Sequence, residues 1–152
     1  MALTDVLTML GITPDGIVGH SVGELGCAYA DGTFTAQQTV LAAYWRGRSI
    51  LESKLPPGAM AAVGLSWEEA KARCPADISP ACHNSADSVT ISGPADSITK
   101  FVKELTNEGI FAKAVHSAGV AFHSRYIAEA GPKLRASLDK VSYQFFNRMW
   151  GR

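Results

Sequence analysis

Apolar residues change their spacing part-way along the chain. In Ala2 to Leu10 they recur at helical intervals (Leu3, Val6, Leu7, Leu10), and Gly11 can close that helix. Thr13-Pro14-Asp15 reads as a turn and Gly16 to Gly19 as a short buried strand. Ser21 to Ala30 reads as a helix rich in small residues, stopped by Asp31-Gly32. Thr35 caps the next helix, which runs through Leu41, Tyr44, Trp45 and Ser49 to about Ser53. Lys54-Leu55-Pro56-Pro57-Gly58 marks a boundary. Beyond it, two-residue alternation takes over. Ala59 to Leu65, Ile78 to His83, Ser88 to Ser92 and Phe111 to Val115 read as strands, with Asn84 to Asp87 as a turn. Ser66-Trp67-Glu68-Glu69 has the form of a capping box, opening a helix that ends near Cys74-Pro75. Asp96 to Asn107 places Ile98, Phe101, Val102 and Leu105 on one helical face, closed by Gly109.

The second series runs β-α-β-β-α-β, the ferredoxin-like order. The pattern thus predicts an α/β chain in three parts: residues 1–55 in an α/β core, a small subdomain at 56–116, and a return to the core at 117–152. The last part carries Ser117 to Ser124, a helix from about Arg125 to Leu138, and a tail ending in Tyr143, Phe145, Phe146 and Trp150. A parallel sheet needs neighbours on both sides of its central strand. The core offers one strand, Gly16 to Gly19, so the sequence reads as part of a larger domain.

Gly19-His20-Ser21-Val22-Gly23 has the spacing of a nucleophile elbow, Gly-x-Ser-x-Gly between strand and helix. A sharp turn there strains the serine backbone and leaves little room for side chains two residues away. It also aims the first N–H groups of the following helix at the oxygen of whatever the serine attacks. The bland alternative is a capped helix start without chemistry.

Composition narrows the possible partners. The 152 residues carry 14 basic and 14 acidic side chains, which gives no electrostatic case for nucleic acid or an anionic membrane surface. No apolar run is long enough to span a bilayer, and Met1 to Leu10 lacks the basic start of a signal peptide. Cys27, Cys74 and Cys82, odd in number and widely spaced, point to reduced thiols in a cytoplasmic setting. The spacings also offer no zinc site, so no metal is expected.

With the elbow, Trp45-Arg46-Gly47, Asn84-Ser85 ahead of Val89-Thr90-Ile91-Ser92-Gly93, and Ala121-Phe122-His123-Ser124 follow in an order that resembles the malonyl-CoA:acyl carrier protein transacylase family. The match looks closest to the malonyl/acetyltransferase domain of animal type I fatty acid synthase, and it covers roughly Leu10 to Leu138. The resemblance implies a partial α/β-hydrolase-like acyltransferase core with the ferredoxin-like subdomain inserted. It implies that Ser21 attacks a malonyl- or acetyl-CoA thioester and that His123 serves as general base and then acid, held by backbone carbonyls rather than a carboxylate. Arg46 would grip the malonyl carboxylate through its planar fork, and the Val22 N–H would be one oxyanion donor. Phe122 would wall the pocket; His20 reads as structural or as a further pocket wall rather than a second base. Asn84 would either fix its turn or line the acyl pocket. No bound cofactor is implied: coenzyme A arrives as the substrate thioester, and the phosphopantetheine thiol of an acyl carrier protein is the acceptor. The rest of a fatty acid synthase polypeptide is the implied partner.

Two departures keep alternatives open. The family's second oxyanion donor lies on a glutamine-bearing, glycine-rich loop that has no counterpart ahead of Ala2, and Val141 to Arg152 does not resemble the family's continuation. A catalytically incomplete fragment is therefore one alternative. A serine thioesterase or esterase is another, although Arg46 has no use in an esterase of neutral acyl groups.

Overall fold

The computed structural model describes residues 1–150, with side chains through residue 141. The tail aromatics Tyr143, Phe145, Phe146 and Trp150 lie outside the described side chains. The chain divides into two compact units: residues 1–51 with 132–152, and residues 52–131.

In the first unit, α1 (Ala2–Met9) is followed by a one-turn 3-10 helix (Ser21–Gly23), α2 (Glu24–Ala30) and α3 (Ala36–Leu51). The Tyr29 hydroxyl donates to the Asp5 carboxylate, tying α2 to α1. Thr35 and Gln38 cap α3 reciprocally: Gln38 N–H donates to Thr35 Oγ1 at 3.2 Å and Thr35 N–H donates to Gln38 Oε1 at 2.9 Å. The expected strand at Gly16–Gly19 does not form. A strand exists only as a hydrogen-bonded ladder, and among the described residues no segment of this unit pairs with it. Val18 is accordingly 95% exposed, and Leu3 and Met9 are also bare.

The second unit holds the sheet. Strands β1 (Gly58–Val63), β2 (Ser79–Ser85), β3 (Ser88–Pro94) and β4 (Ala112–Val115) lie in the order β2-β3-β1-β4, antiparallel throughout. With α4 (Trp67–Arg73) and α5 (Ala95–Asn107) as the crossovers, this is the ferredoxin-like arrangement. The Ser66–Glu69 capping box forms as the sequence predicts. Gly109 ends the α5 region at φ +77°, a conformation that favours glycine. Ala61, Val63, Val89 and Ile91 of the sheet meet Ile98, Phe101 and Leu105 of α5 in one buried core. Each of those three large helix side chains contributes about 1.5–3 kcal/mol through burial.

Two local expectations need correction. Asn84 lies inside β2 rather than in a turn, because the hairpin closes on only two residues, Ala86 and Asp87. The final helix is broken in two: a 3-10 segment (Arg125–Ala130) precedes α6 (Gly131–Trp150), which runs past Leu138.

One buried group stands out in the sheet. Ser92, opposite Met60 on β1 and Ser79 on β2, is fully buried, and its hydroxyl finds no hydrogen-bond partner among the described residues. An unmade hydrogen bond in the interior is destabilising. Ser92→Ala is expected to stabilise the chain by about 1 kcal/mol, read as a higher urea midpoint at unchanged slope.

Candidate active site

The elbow is built by backbone strain. Ser21 sits at φ +52°, in the left-handed region that L-residues seldom occupy. Holding a serine there costs on the order of 1–3 kcal/mol and requires its surroundings to enforce it. Gly19 shows how. A Cβ added at Gly19 would lie 2.6 Å from the Gly23 carbonyl carbon, 2.7 Å from its oxygen and 2.6 Å from Cys27 Sγ. The chain thus folds back on itself across Ser21, and only a bare residue fits at position 19. A Cβ added at Gly23 meets nothing within 4 Å, and Gly23 has an ordinary helical φ of −60°. The crowding expected on both sides of the serine is therefore confined to one.

His20 precedes the turn in extended conformation, exposed, with its carbonyl accepting the Gly23 N–H at 2.9 Å. Ser21 is half-buried. Val22 is 52% exposed and lies in the first turn, where backbone N–H groups have no intrahelical acceptor. Arg46 lies on α3 in the same unit, half-buried, next to Trp45, whose ring meets Tyr44 edge-on at 5.1 Å.

His123 and Phe122 belong to the second unit. The segment from Ser117 to Ser124 is a chain of turns. Ala118 (φ +50°) and Gly119 (φ +74°) form a tight reversal closed by Val120 N–H donating to the Ser117 carbonyl at 2.9 Å. His123 itself sits at φ +56°. Ser124 Oγ donates to the Ala121 carbonyl at 2.6 Å and accepts from Tyr126 N–H at 3.3 Å, which closes a loop around the histidine. His123 is exposed, Phe122 is half-buried and Ala121 is buried. Both candidate catalytic side chains thus project from left-handed backbone, an arrangement common at functional sites.

Asn84 stands on the exposed end of β2, where its Nδ2 donates to Thr90 Oγ1 of β3 at 3.0 Å. Next to it, His83 stacks on Trp67 at 5.4 Å. Burial pushes the Cys74 thiol up to about 11, so it stays protonated at neutral pH and is no rival nucleophile. Among the described residues no group of three His, Cys, Asp or Glu side chains could hold a metal ion, and no helix is long and apolar enough to cross a membrane.

A family model described as the acyl transferase domain matches residues 1–148. The chain belongs to the acyl transferase domain family. It is 41% identical over 136 residues to highly reducing polyketide synthase 19 of Pyricularia oryzae, covering 86% of this chain and 5% of that protein. It is 39% identical over 142 residues to the polyketide synthase-like protein Preu9 of Preussia isomera, covering 91% and 6%. The chain thus spans about a twentieth of the length of the curated relatives it matches. Among solved structures, the acyltransferase domain of the iterative polyketide synthase in enediyne biosynthesis superposes with a TM-score of 0.81 at 26% identity, covering 91% of this chain and 37% of that one. The malonyl CoA-acyl carrier protein transacylase of Coxiella burnetii gives 0.81 at 26%, covering 91% and 46%. The acyltransferase resemblance holds, and the two sequence relatives are fungal polyketide synthases rather than the animal fatty acid synthase that the motifs suggested.

Three residues around the candidate site carry weak signals in the sequence. Gly58 looked like boundary punctuation, yet it touches the His123 loop. Ser124 directly follows a turn residue, the setting in which a serine side chain bonds back to the main chain. Cys27 looked like core filling and packs under the elbow.

Proposed function

We propose that this chain loads a malonyl or acetyl group from coenzyme A onto itself and passes it to the phosphopantetheine thiol of an acyl carrier protein. The observation that carries this reading is the elbow: Ser21 at φ +52° over a Gly19 that no side chain can replace. A hydroxyl held on strained backbone at a helix start has the form of an acyl-transfer nucleophile.

In the proposed reaction Ser21 Oγ attacks the thioester carbonyl while His123 takes its proton. The C–S bond then breaks and His123 returns the proton to the departing coenzyme A thiolate. The pantetheine thiol reverses the steps: its proton passes to His123, its sulfur attacks the seryl ester, and the Ser21 hydroxyl is regenerated. The Val22 N–H stabilises the oxyanion. Arg46 pairs with the free malonyl carboxylate, and Phe122, His20 and Asn84 are the further residues proposed to contact the acyl group. The larger protein around it would be a synthase of the polyketide or fatty acid kind, and its relatives favour the polyketide kind. The proposed domain boundaries remain those of the sequence reading: 1–55, 56–116 and 117–152.

The test is intact-protein mass spectrometry after brief exposure to malonyl-CoA, with peptide mapping of the modified residue. A malonyl ester on Ser21 supports the reading; no adduct on folded chain overturns it. Arg46→Ala gives the specificity arm. It is expected to lower kcat/KM for malonyl-CoA by about 10- to 100-fold, the worth of a hydrogen bond to a charged group, and to leave acetyl-CoA unchanged. Equal losses for both thioesters would remove Arg46 from the carboxylate.

A further inference from the structure

We propose that Gly58 is a positioning residue for His123, holding the histidine loop in register through a backbone contact that tolerates no side chain. This rests on the reading of His123 as the proton carrier. Gly58 opens β1, and its N–H donates to the Gly119 carbonyl at 2.9 Å. A Cβ built on Gly58 would lie 2.3 Å from Ala121 N, 2.7 Å from Ala121 Cβ and 3.0 Å from Ala121 Cα. Two of those atoms are main chain, so no rotamer change relieves the clash. Either the strand or the loop must move.

The strand is the side that cannot give. β1 is paired on both edges, with β3 (Gly58↔Pro94 through Val63↔Val89) and with β4 (Met60↔Val115 through Val63↔Ala112). Its Ala61 and Val63 are fully buried. Just before it, the Pro57 carbonyl accepts the Ala95 N–H at 3.1 Å, which pins the strand entrance to the start of α5. The loop, in contrast, belongs to no strand ladder, and the buried Ala121 is one of its anchors. The Ala121 carbonyl receives the Ser124 hydroxyl, and the two residues bracket Phe122 and His123. A push on Ala121 therefore reaches His123 through two peptide units and one hydrogen bond. Displacing a catalytic group by about 1 Å costs on the order of 100-fold in rate.

Gly64, just beyond the other end of β1, is a matched control. Its added Cβ would meet the Phe111 side chain at 3.2 Å, and the Gly64 N–H bonds to the Phe111 carbonyl at 2.8 Å, away from the histidine loop.

The experiment compares Gly58→Ala, Gly64→Ala and His123→Gln in the full chain. Imidazole NMR signals are followed, with the His123 resonance assigned by its loss in His123→Gln. Gly58→Ala is expected to shift the His123 signal and leave that of His83 in place, to lower the acylation rate constant with malonyl-CoA by about 100-fold, and to leave KM unchanged. Gly64→Ala is expected to leave both signals and the rate unchanged. If Gly58→Ala does not fold, Gly58→Ala/Ala121→Gly removes the Cβ–Cβ clash, lets the loop backbone give, and carries the same expectations. An unmoved His123 signal in whichever variant folds overturns the proposal, as does a rate loss shared by Gly64→Ala or a shifted signal with an unchanged rate. Full acylation by His123→Gln would instead overturn the role of His123 itself, and the NMR comparison separates that failure from this one.

Discussion

Ser21→Ala should leave the fold unchanged and abolish the malonyl adduct. Two of the thiols are poor substitutes for it. The Cys74 thiol is held protonated by its burial, and Cys82 is raised in the same direction by burial, with a hydrogen bond from Thr90 opposing. Removing the nucleophile from a site of cooperating groups typically lowers the rate by a factor on the order of 10⁴–10⁶, beyond the reach of a brief incubation. Intact mass after malonyl-CoA treatment checks it: an adduct that persists on the alanine variant would place the chemistry elsewhere. Ser21 is only half-buried, and a lost adduct cannot be attributed to unfolding if the thermal midpoint is unchanged.

The two glycines of the elbow should respond in opposite ways to the same substitution. Gly19→Ala drives a methyl group to within 2.6 Å of the Gly23 main chain and of Cys27 Sγ. The sulfur can rotate away but the main chain cannot, so the turn must open and Ser21 must shift. A loss of about 100-fold or more in acylation is expected, and adding Cys27→Ala should not restore it. Gly23→Ala meets open space on a helical backbone. It should acylate normally and gain about 0.4–1 kcal/mol from reduced freedom of the unfolded chain. Parallel adduct kinetics and urea unfolding decide the point. Equal losses at both positions would mean that the second glycine serves something other than backbone clearance.

These contrasts show where the sequence is informative. The β-α-β-β-α-β lobe is legible because its signals are local: Val89 and Ile91 alternate, Ile98, Phe101 and Leu105 keep helical spacing, and Ser66–Glu69 announces its helix. Gly16 to Gly19 misleads for the opposite reason. Ile17-Val18 between glycines has strand composition, but strand formation is decided by a partner, and the sequence of one segment cannot supply it. The left-handed turn at Ser21 can be anticipated from its flanking glycines. The same conformation at Ala118 and His123 cannot, since neither residue type signals it. Gly58 follows two prolines and reads as the end of a linker; its role comes from Ala121, 63 positions later, whose approach only the folded chain reveals. Asn84 looked like a turn residue by type, yet the two-residue hairpin at Ala86-Asp87 draws it into the ladder.

The backbone at Ser21 also restricts which nucleophiles this elbow could ever use. Cysteine has the same unbranched Cβ as serine and could occupy φ +52° at similar strain, so the scaffold is open to thiol chemistry. Threonine presents the same hydroxyl, but its second Cβ substituent makes the left-handed region a genuine outlier. A drift from serine to threonine, the mildest change by side-chain chemistry, is the one the main chain forbids. What the shape of the turn restricts is thus the branching of the side chain it presents rather than the reactive atom that side chain carries.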